Sequence, residues 1–354
     1  LYTKYKLGFL LPNLDNHGGI TVSVLTITTA LEALGHEVHL FPVGKTEVAK
    51  TPNTHPIDSN KKSAQLKLFK LAYDTQNSIQ AFDMLISNNL RTNYILHKLQ
   101  IENALMVFHN SMIIKKRGFF KTMRQRMSYK ALYHSQNIAF VSECFRDEFL
   151  KKYHTIVPKK SYVIYNPISL GKLQELASEP YEPMPEKYLI CVGRMSKEKN
   201  QAMIIKALSK LQDKEIDLVL LGDGVEMAKL KTLTQEMKLT SRIYFLGWKT
   251  NPYPYIKNAS LLVSASKNEG MPMTLLEALA LKTPVVSTDI LCGPNEILTA
   301  EFSHFLTKPL DLDDFVQKID QALISYPIIA ESAIEKFKVD TIVNHYLGII
   351  KEIV

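Results

Sequence analysis

The chain has little cysteine: Cys144, Cys191 and Cys292 are three in 354 residues, odd in number and widely spaced. Such a set neither builds a disulfide framework nor clusters zinc ligands, and it reads as a chain for a reducing, cytosolic compartment. Long apolar runs are missing too. Stretches such as Leu275 to Leu281 fall far short of the ~20 residues a membrane-spanning helix needs. The opening, Leu1 to Pro12, carries only Lys4 and Lys6 and a short apolar run that leads straight into a turn, which is not the layout of a secretory signal. No helix-turn-helix spacing, zinc ligands or RNA-binding aromatic signature accompanies the net charge of +8, which argues against nucleic acid as the partner. What is present is ordinary globular composition, 46% apolar and 22% charged. At roughly 100 to 200 residues per domain, that is material for two cores.

The charge is unevenly spread. Residues 1–166 hold 22 basic and 11 acidic side chains, a net of +11, whereas residues 167–354 hold 21 and 24, a net of −3. Ser111 to His134 carries Lys115, Lys116, Arg117, Lys121, Arg124, Arg126 and Lys130 and no acid. Ile113, Ile114, Phe119, Phe120, Met123, Met127, Tyr129, Leu132 and Tyr133 are interleaved with them. Cations mixed with large apolar groups suit an anionic membrane surface, so Ile113 to Tyr133 is a docking candidate. The plainer alternative is a solvated basic helix whose apolar residues face the core.

Both halves share one grammar. Tyr5 to Leu11 is an apolar run, Asn13 to Gly19 a glycine-bearing turn, Ile20 to Leu34 a helical pattern closed by Gly35, and Val38 to Val43 a second strand. Further short runs at Met84 to Ser87, Ala104 to His109, Ile138 to Ser142 and Tyr162 to Tyr165 alternate with helical stretches. The second half repeats the scheme at Tyr188 to Val192, Asp217 to Leu221, Ile243 to Leu246, Ser260 to Ser264 and Pro284 to Ser287. This predicts an α/β protein with two Rossmann-like, doubly wound parallel sheets facing a cleft. The break is expected near Asn166 and Pro167, ahead of a proline-bearing linker at Glu179 to Glu186, giving domains 1–166 and 167–338. In such sheets ligands bind beyond the carboxyl ends of the strands, so candidate chemistry is sought there.

Gly18 and Gly19 could let amides at a helix N-terminus approach a phosphate, or could form a tight turn that needs positive φ. The three-glycine dinucleotide fingerprint is absent. Gly193, Arg194, Lys197 and Lys199 directly follow the strand Tyr188 to Val192. Fixed cations there can neutralise a diphosphate and stabilise a departing nucleotide in place of a metal; the alternative is a solvated lysine-rich loop. Glu269 lies in a glycine-proline loop, and Glu277, eight residues on, lies in the apolar helix that follows. Carboxylates at such a position can accept bonds from sugar hydroxyls, while Thr274 and Glu277 also have capping-box spacing. His109 at a strand end could serve a site or simply complete a turn. Asp311, Leu312 and Asp313 look like a metal-nucleotide D-x-D motif but precede a helical run, so a helix N-cap explains them better.

Taken together, C-V-G-R-M-S-K-E-K-N, L-L-G-D-G, F-L-G-W and N-E-G-M-P-M-T-L-L-E-A-L-A between Tyr188 and Ile297 resemble the retaining glycosyltransferases of the GT-B fold, family 4. Gly18 and Gly19, V-F-H-N at Val107 to Asn110 and Y-N-P at Tyr165 to Pro167 extend the likeness. The resemblance implies that Arg194 and Lys199 hold the donor diphosphate, assisted by backbone at Gly19, that Gly18 and Gly193 belong to the substrate-binding set, and that Glu277 binds the ribose. It further implies that Glu269 binds the donor sugar, that the loop of Gly270, Met271, Pro272, Met273 and Thr274 supplies amides to sugar and phosphate, and that His109 lines the sugar site. The base is expected near Gly247, Trp248 and Lys249, and the helix Val339 to Ile353 to cross back onto the first domain. Ile20 to Ser23 lack an acidic residue that many members carry there. The reaction implied is metal-independent transfer with retention from a nucleotide-sugar, with UDP preferred over GDP and no cofactor, to a lipid-linked or lipopolysaccharide glycan. A sugar-nucleotide epimerase of the same architecture and a non-catalytic nucleotide-sugar-binding protein at a membrane are the competing readings.

Overall fold

The computed structural model describes residues 3–12, 14, 18–44, 52–109 and 119–354, and for 119–122 the backbone alone. The chain divides into two compact units, Leu1–Pro167 with Lys336–Val354, and Ile168–Glu335.

Unit 1 runs β1 (Lys6–Pro12), α1 (Gly19–Ala33), β2 (Glu37–Val43), α2 (Lys62–Ile79), β3 (Met84–Ser87), α3 (Leu90–Lys98), β4 (Ala104–Phe108), α4 (Phe119–Tyr133), β5 (Asn137–Phe140), α5 (Glu143–Lys152) and β6 (Lys160–Val163). Its strands pair in parallel in the order β2-β1-β3-β4-β5-β6. Helices cover both faces of such a sheet, which is why β1, β3, β4 and β5 are short apolar runs rather than alternating ones. The order reverses between β1 and β3, so their carboxyl ends flank a topological switch point. Polar caps stop the strands from running on. Ser142 accepts from the Phe145 N–H at 3.0 Å to start α5, and Asn89 and Thr92 form a reciprocal capping box at α3. Beneath the end of β4, the Phe108 ring stacks on Phe140 with centroids 5.0 Å apart and meets Tyr133 at 4.5 Å. That packing anchors the strand one residue before His109.

Unit 2 runs α6 (Leu170–Leu176), β7 (Tyr188–Val192), α7 (Gln201–Lys210), β8 (Asp217–Leu221), α8 (Met227–Glu236), β9 (Ile243–Gly247), α9 (Tyr253–Lys257), β10 (Leu261–Ser264), α10 (Met273–Ala280), β11 (Val285–Thr288), α11 (Pro294–Ile297), β12 (Leu306–Thr307) and α12 (Leu312–Ile324). The parallel order β12-β11-β10-β7-β8-β9 is doubly wound, with its switch point between β7 and β10. The two-residue β12 escapes the sequence pattern because it is too short to show a period. Asp311 caps α12 by accepting from the Asp314 N–H at 3.0 Å, so the D-x-D resemblance is a helix start. The last helix, α13 (Val339–Ile353), returns to unit 1 and packs on α1. Among the described residues no helix is long and apolar enough to cross a membrane.

Candidate functional site

In unit 2 the candidate residues gather at the switch point. β7 is followed by Gly193, whose φ of +150° favours glycine and turns the chain into the exposed Arg194. The Gly193 N–H donates to Leu221 O at 2.9 Å, Met195 N–H to Asp223 O at 2.8 Å, and Glu226 N–H to Met195 O at 3.1 Å. The L-L-G-D-G segment thus lies directly against the G-R-M loop. Its glycines make that approach possible: a Cβ on Gly222 would sit 2.2 Å from Gly193 O, and one on Gly224 2.3 Å from Met195 O. Gln201, 2% exposed, donates through Nε2 to Arg194 O at 3.1 Å. The loop is therefore braced from two sides.

Lys199 reaches Glu269, with Nζ to Oε1 at 2.6 Å. Lys199 and Glu269 thus join the loop after β7 to the loop after β10, and Arg194 lies on the first of these loops. Glu277 stands on α10, and the Tyr253 hydroxyl approaches its Oε1 at 3.5 Å. Burial pushes the Glu277 carboxyl up to about 7, while the Tyr253 hydrogen bond and the Lys199 charge pull it down. The capping-box alternative fails here. The N-cap of α10 is Pro272, which has no side-chain bond, and Thr274 already lies inside the helix. Glu277 thus has no capping role, and the N-cap residue itself supplies no side-chain bond to the first amides of α10. Gly293, at φ +103°, lets its own loop close on this turn: a Cβ there would lie 2.8 Å from Pro272 Cδ and 2.9 Å from Gly270 O. At the β9 end, Gly247 O accepts from the Gly222 N–H at 2.7 Å. Trp248 is 55% exposed, and the Lys249 ammonium is bound by Glu182.

Unit 1 offers neutral groups. The tight-turn alternative for the glycine pair does not hold: Gly18 is the N-cap of α1 at φ −73°, and Gly19 is the first helical residue. What remains is a helix start without a side-chain cap. His109 follows β4, and its Nε2 donates to Asn88 Oδ1 at 3.1 Å. Its pKa is lowered to about 4 by burial, against a smaller upward pull from the Asn166 amide. Asn166, of the Y-N-P triplet, accepts from the Ser23 hydroxyl at 3.1 Å. Asn110 and Ile113 to Gly118 lie outside the described residues. Over the rest of the docking candidate, Tyr129, Leu132 and Tyr133 are buried, whereas Met123 (53%) and Met127 (65%) are exposed beside exposed Arg124, Arg126 and Lys130. The buried aromatics face the core, as the plainer alternative expects, and the remaining side chains named are solvent-facing.

Sequence reasoning missed Tyr253, Gln201 and Asn88, and saw Asn166 only as part of the Y-N-P triplet. Tyr253, Asn88 and Asn166 are defined by partners distant in the chain, and Gln201 by a backbone carbonyl seven residues before it. The L-L-G-D-G glycines were visible, and their work as a backing for the G-R-M loop was not.

The family described as Glycosyl transferases group 1 matches residues 174–337, and Glycosyltransferase Family 4 matches residues 17–172. The chain is similar to an uncharacterized glycosyltransferase, MJ1059, of Methanocaldococcus jannaschii, 28% identical over 239 residues, 62% of this chain and 57% of that one. It is 32% identical over 178 residues, 50% of this chain and 48% of the relative, to the N-acetylgalactosamine-N,N'-diacetylbacillosaminyl-diphospho-undecaprenol 4-alpha-N-acetylgalactosaminyltransferase of Campylobacter jejuni. The matches span about half the length of these curated relatives. Among solved structures, the Anabaena protein Alr3699/HepE in complex with UDP and glucose superposes with a TM-score of 0.75 at 16% identity, over 98% of this chain and 100% of that one. That likeness is one of fold, the GT-B arrangement of two α/β domains.

Proposed function

The chain belongs to glycosyltransferase family 4, whose two models between them match residues 17–172 and 174–337, and we propose that it moves a hexose or N-acetylhexosamine from a UDP-sugar to a glycan acceptor. The acceptor is a lipid-linked or lipopolysaccharide intermediate, and the transfer proceeds with retention and without a metal. The observation that carries this reading is the Lys199–Glu269 pair, with Glu277 within reach of the Lys199 charge, beside the loop that bears Arg194. Cations on the loop after β7 match the charge that grows on a departing nucleoside diphosphate, the largest electrostatic demand of the reaction. Glu277, once ionised, accepts from ribose hydroxyls. Glu269, held by Lys199, accepts from sugar hydroxyls, and the amides of Gly270 to Thr274 bind sugar and phosphate. Trp248, with the backbone at Gly247 to Lys249, meets the base. In unit 1, the Gly19 amide serves the phosphate and His109 the sugar. No enzyme nucleophile is needed when the acceptor attacks from the face the nucleotide leaves.

The UDP bound by the Anabaena protein and the diphospho-undecaprenol acceptor named for the Campylobacter relative support the donor and acceptor classes. The exposed methionines and cations of α4 fit an anionic membrane surface, where such acceptors reside. Titrating the protein with UDP- and GDP-sugars tests the donor: UDP-sugars should saturate and raise the melting temperature, and a preference for GDP-sugars would overturn that assignment.

A further inference from the structure

The inference rests on the sugar role proposed for His109 and concerns the state in which that ring is held. Asn88 follows β3, on one side of the unit 1 switch point, and is 1% exposed. Its backbone N–H and its Nδ2 both donate to Leu10 O, each at 3.1 Å. A carbonyl only accepts, so Leu10 decides which end of the Asn88 amide faces it. The other end, Oδ1, lies 3.1 Å from His109 Nε2. Two acceptors make no hydrogen bond, so Nε2 carries the ring proton and Nδ1 is left as a lone pair. Among the described residues Nδ1 is buried and makes no hydrogen bond; the Asn166 amide, whose Oδ1 accepts from the Ser23 hydroxyl, lies near the ring and pulls its pKa up. A buried acceptor without a donor costs stability, and such a group is accounted for where a ligand supplies the missing hydrogen. The groups that bear on the ring's titration are the Asn88 and Asn166 amides, both neutral.

We propose that Asn88 is a positioning residue that locks His109 in its Nε2–H tautomer, so that Nδ1 accepts a hydrogen bond from a hydroxyl of the transferred sugar. The chemistry is selective. A bare lone pair takes a hydroxyl hydrogen and repels a phosphate oxygen, an ether or a carbonyl, whereas an imidazolium would draw the anion. His109 therefore reads a neutral hydroxyl, and countering the diphosphate falls to Arg194 and Lys199.

The test uses the full chain labelled with nitrogen-15, with the His109 ring identified by its loss in His109→Gln. Long-range proton–nitrogen correlation should show the Nε2–H tautomer from about pH 8 to about pH 5.5. A ring protonated at neutral pH, or protonated on Nδ1, would overturn the proposal. Asn88→Asp keeps an acceptor at Nε2 but adds a negative charge, so its ring should titrate within or above the ordinary histidine range. Its transfer rate, taken as a ratio to the wild-type rate, should then fall about tenfold between about pH 8 and about pH 6. A merely structural role for Asn88 would lower that ratio equally at every pH, and that result refutes the proposal. If the variant fails to fold, the wild-type tautomer still decides. Absence of transfer with the tautomer as stated would sink the functional reading alone, and transfer with a charged ring would sink this inference alone.

Discussion

Unit 2 presents its candidate residues as charges, an exposed Arg194, the Lys199–Glu269 pair at 2.6 Å and a Glu277 carboxyl raised to about 7. Unit 1 presents a chain of neutral groups instead: Leu10 O, Asn88, His109, and Asn166 with Ser23. The two sets differ in chemistry: charge suits a nucleoside diphosphate, and neutral donors and acceptors suit hydroxyl groups. The overall charge runs the other way, with the basic excess in residues 1–166. It is concentrated in Ser111 to His134, which carries seven cations and no acid.

This contrast can be broken by substitution, and the largest effects belong to unit 2. Lys199→Ala and Glu277→Ala should each lower turnover by roughly 10²- to 10³-fold, the loss typical of a preorganised electrostatic group, with circular dichroism unchanged. Near-normal turnover in either would remove the assignment. Next comes the loop backing. Gly222→Ala places a Cβ 2.2 Å from Gly193 O at a φ of +136°, which should cost about 1–3 kcal/mol in urea unfolding and weaken UDP-sugar binding with it. Unaltered binding would show that the G-R-M loop needs no such support.

Protonation sharpens the comparison further. The Glu277 carboxyl rises from 4.5 to about 7 in the folded chain, so the folded state binds that proton more tightly than the unfolded one. Its contribution to stability is therefore present below about 4.5 and is lost as the pH climbs through about 7. Binding has the opposite sign, because ribose hydroxyls favour the ionised carboxylate. UDP-sugar affinity should be about tenfold weaker near pH 6 than near pH 8, and Glu277→Gln should flatten the profile. A wild-type affinity independent of pH would contradict the ribose role. The smallest effect on chemistry should come from α4. Replacing Arg124, Arg126 and Lys130 by Ser should abolish the preference for anionic over neutral vesicles in co-sedimentation, yet leave turnover on a soluble acceptor unchanged. Equal binding of the wild-type chain to both vesicles would dispose of the electrostatic argument.

The strands were legible because a parallel sheet buried on both faces demands continuous apolar runs. Met84 to Ser87, Tyr188 to Val192 and Asp217 to Leu221 form strands over those same residues. Charged candidates were legible for a related reason: Arg194, Lys199, Glu269 and Glu277 sit in short motifs beside those runs. Neutral partners were not. Asn88 and His109 are 21 residues apart, and Tyr253 and Glu277 are 24 apart; which pairs meet is decided by strand order. The local rules also failed where a loop overrode them. Thr274 and Glu277 have capping-box spacing, yet α10 begins at Met273 behind Pro272, and Gly18 needs no positive φ. Asp311 shows the reverse case, a charged pair that local capping explains in full.

The central claim is retaining transfer from a UDP-sugar, driven by the charges of unit 2. It is tested most directly by incubating the protein with an α-linked UDP-sugar and a lipid-linked glycan acceptor in EDTA, and assigning the anomeric configuration of the product by NMR. An α-linked product formed at an undiminished rate is the predicted result. A β-linked product, loss of transfer in EDTA, or conversion of the donor to its epimer without acceptor would contradict the account.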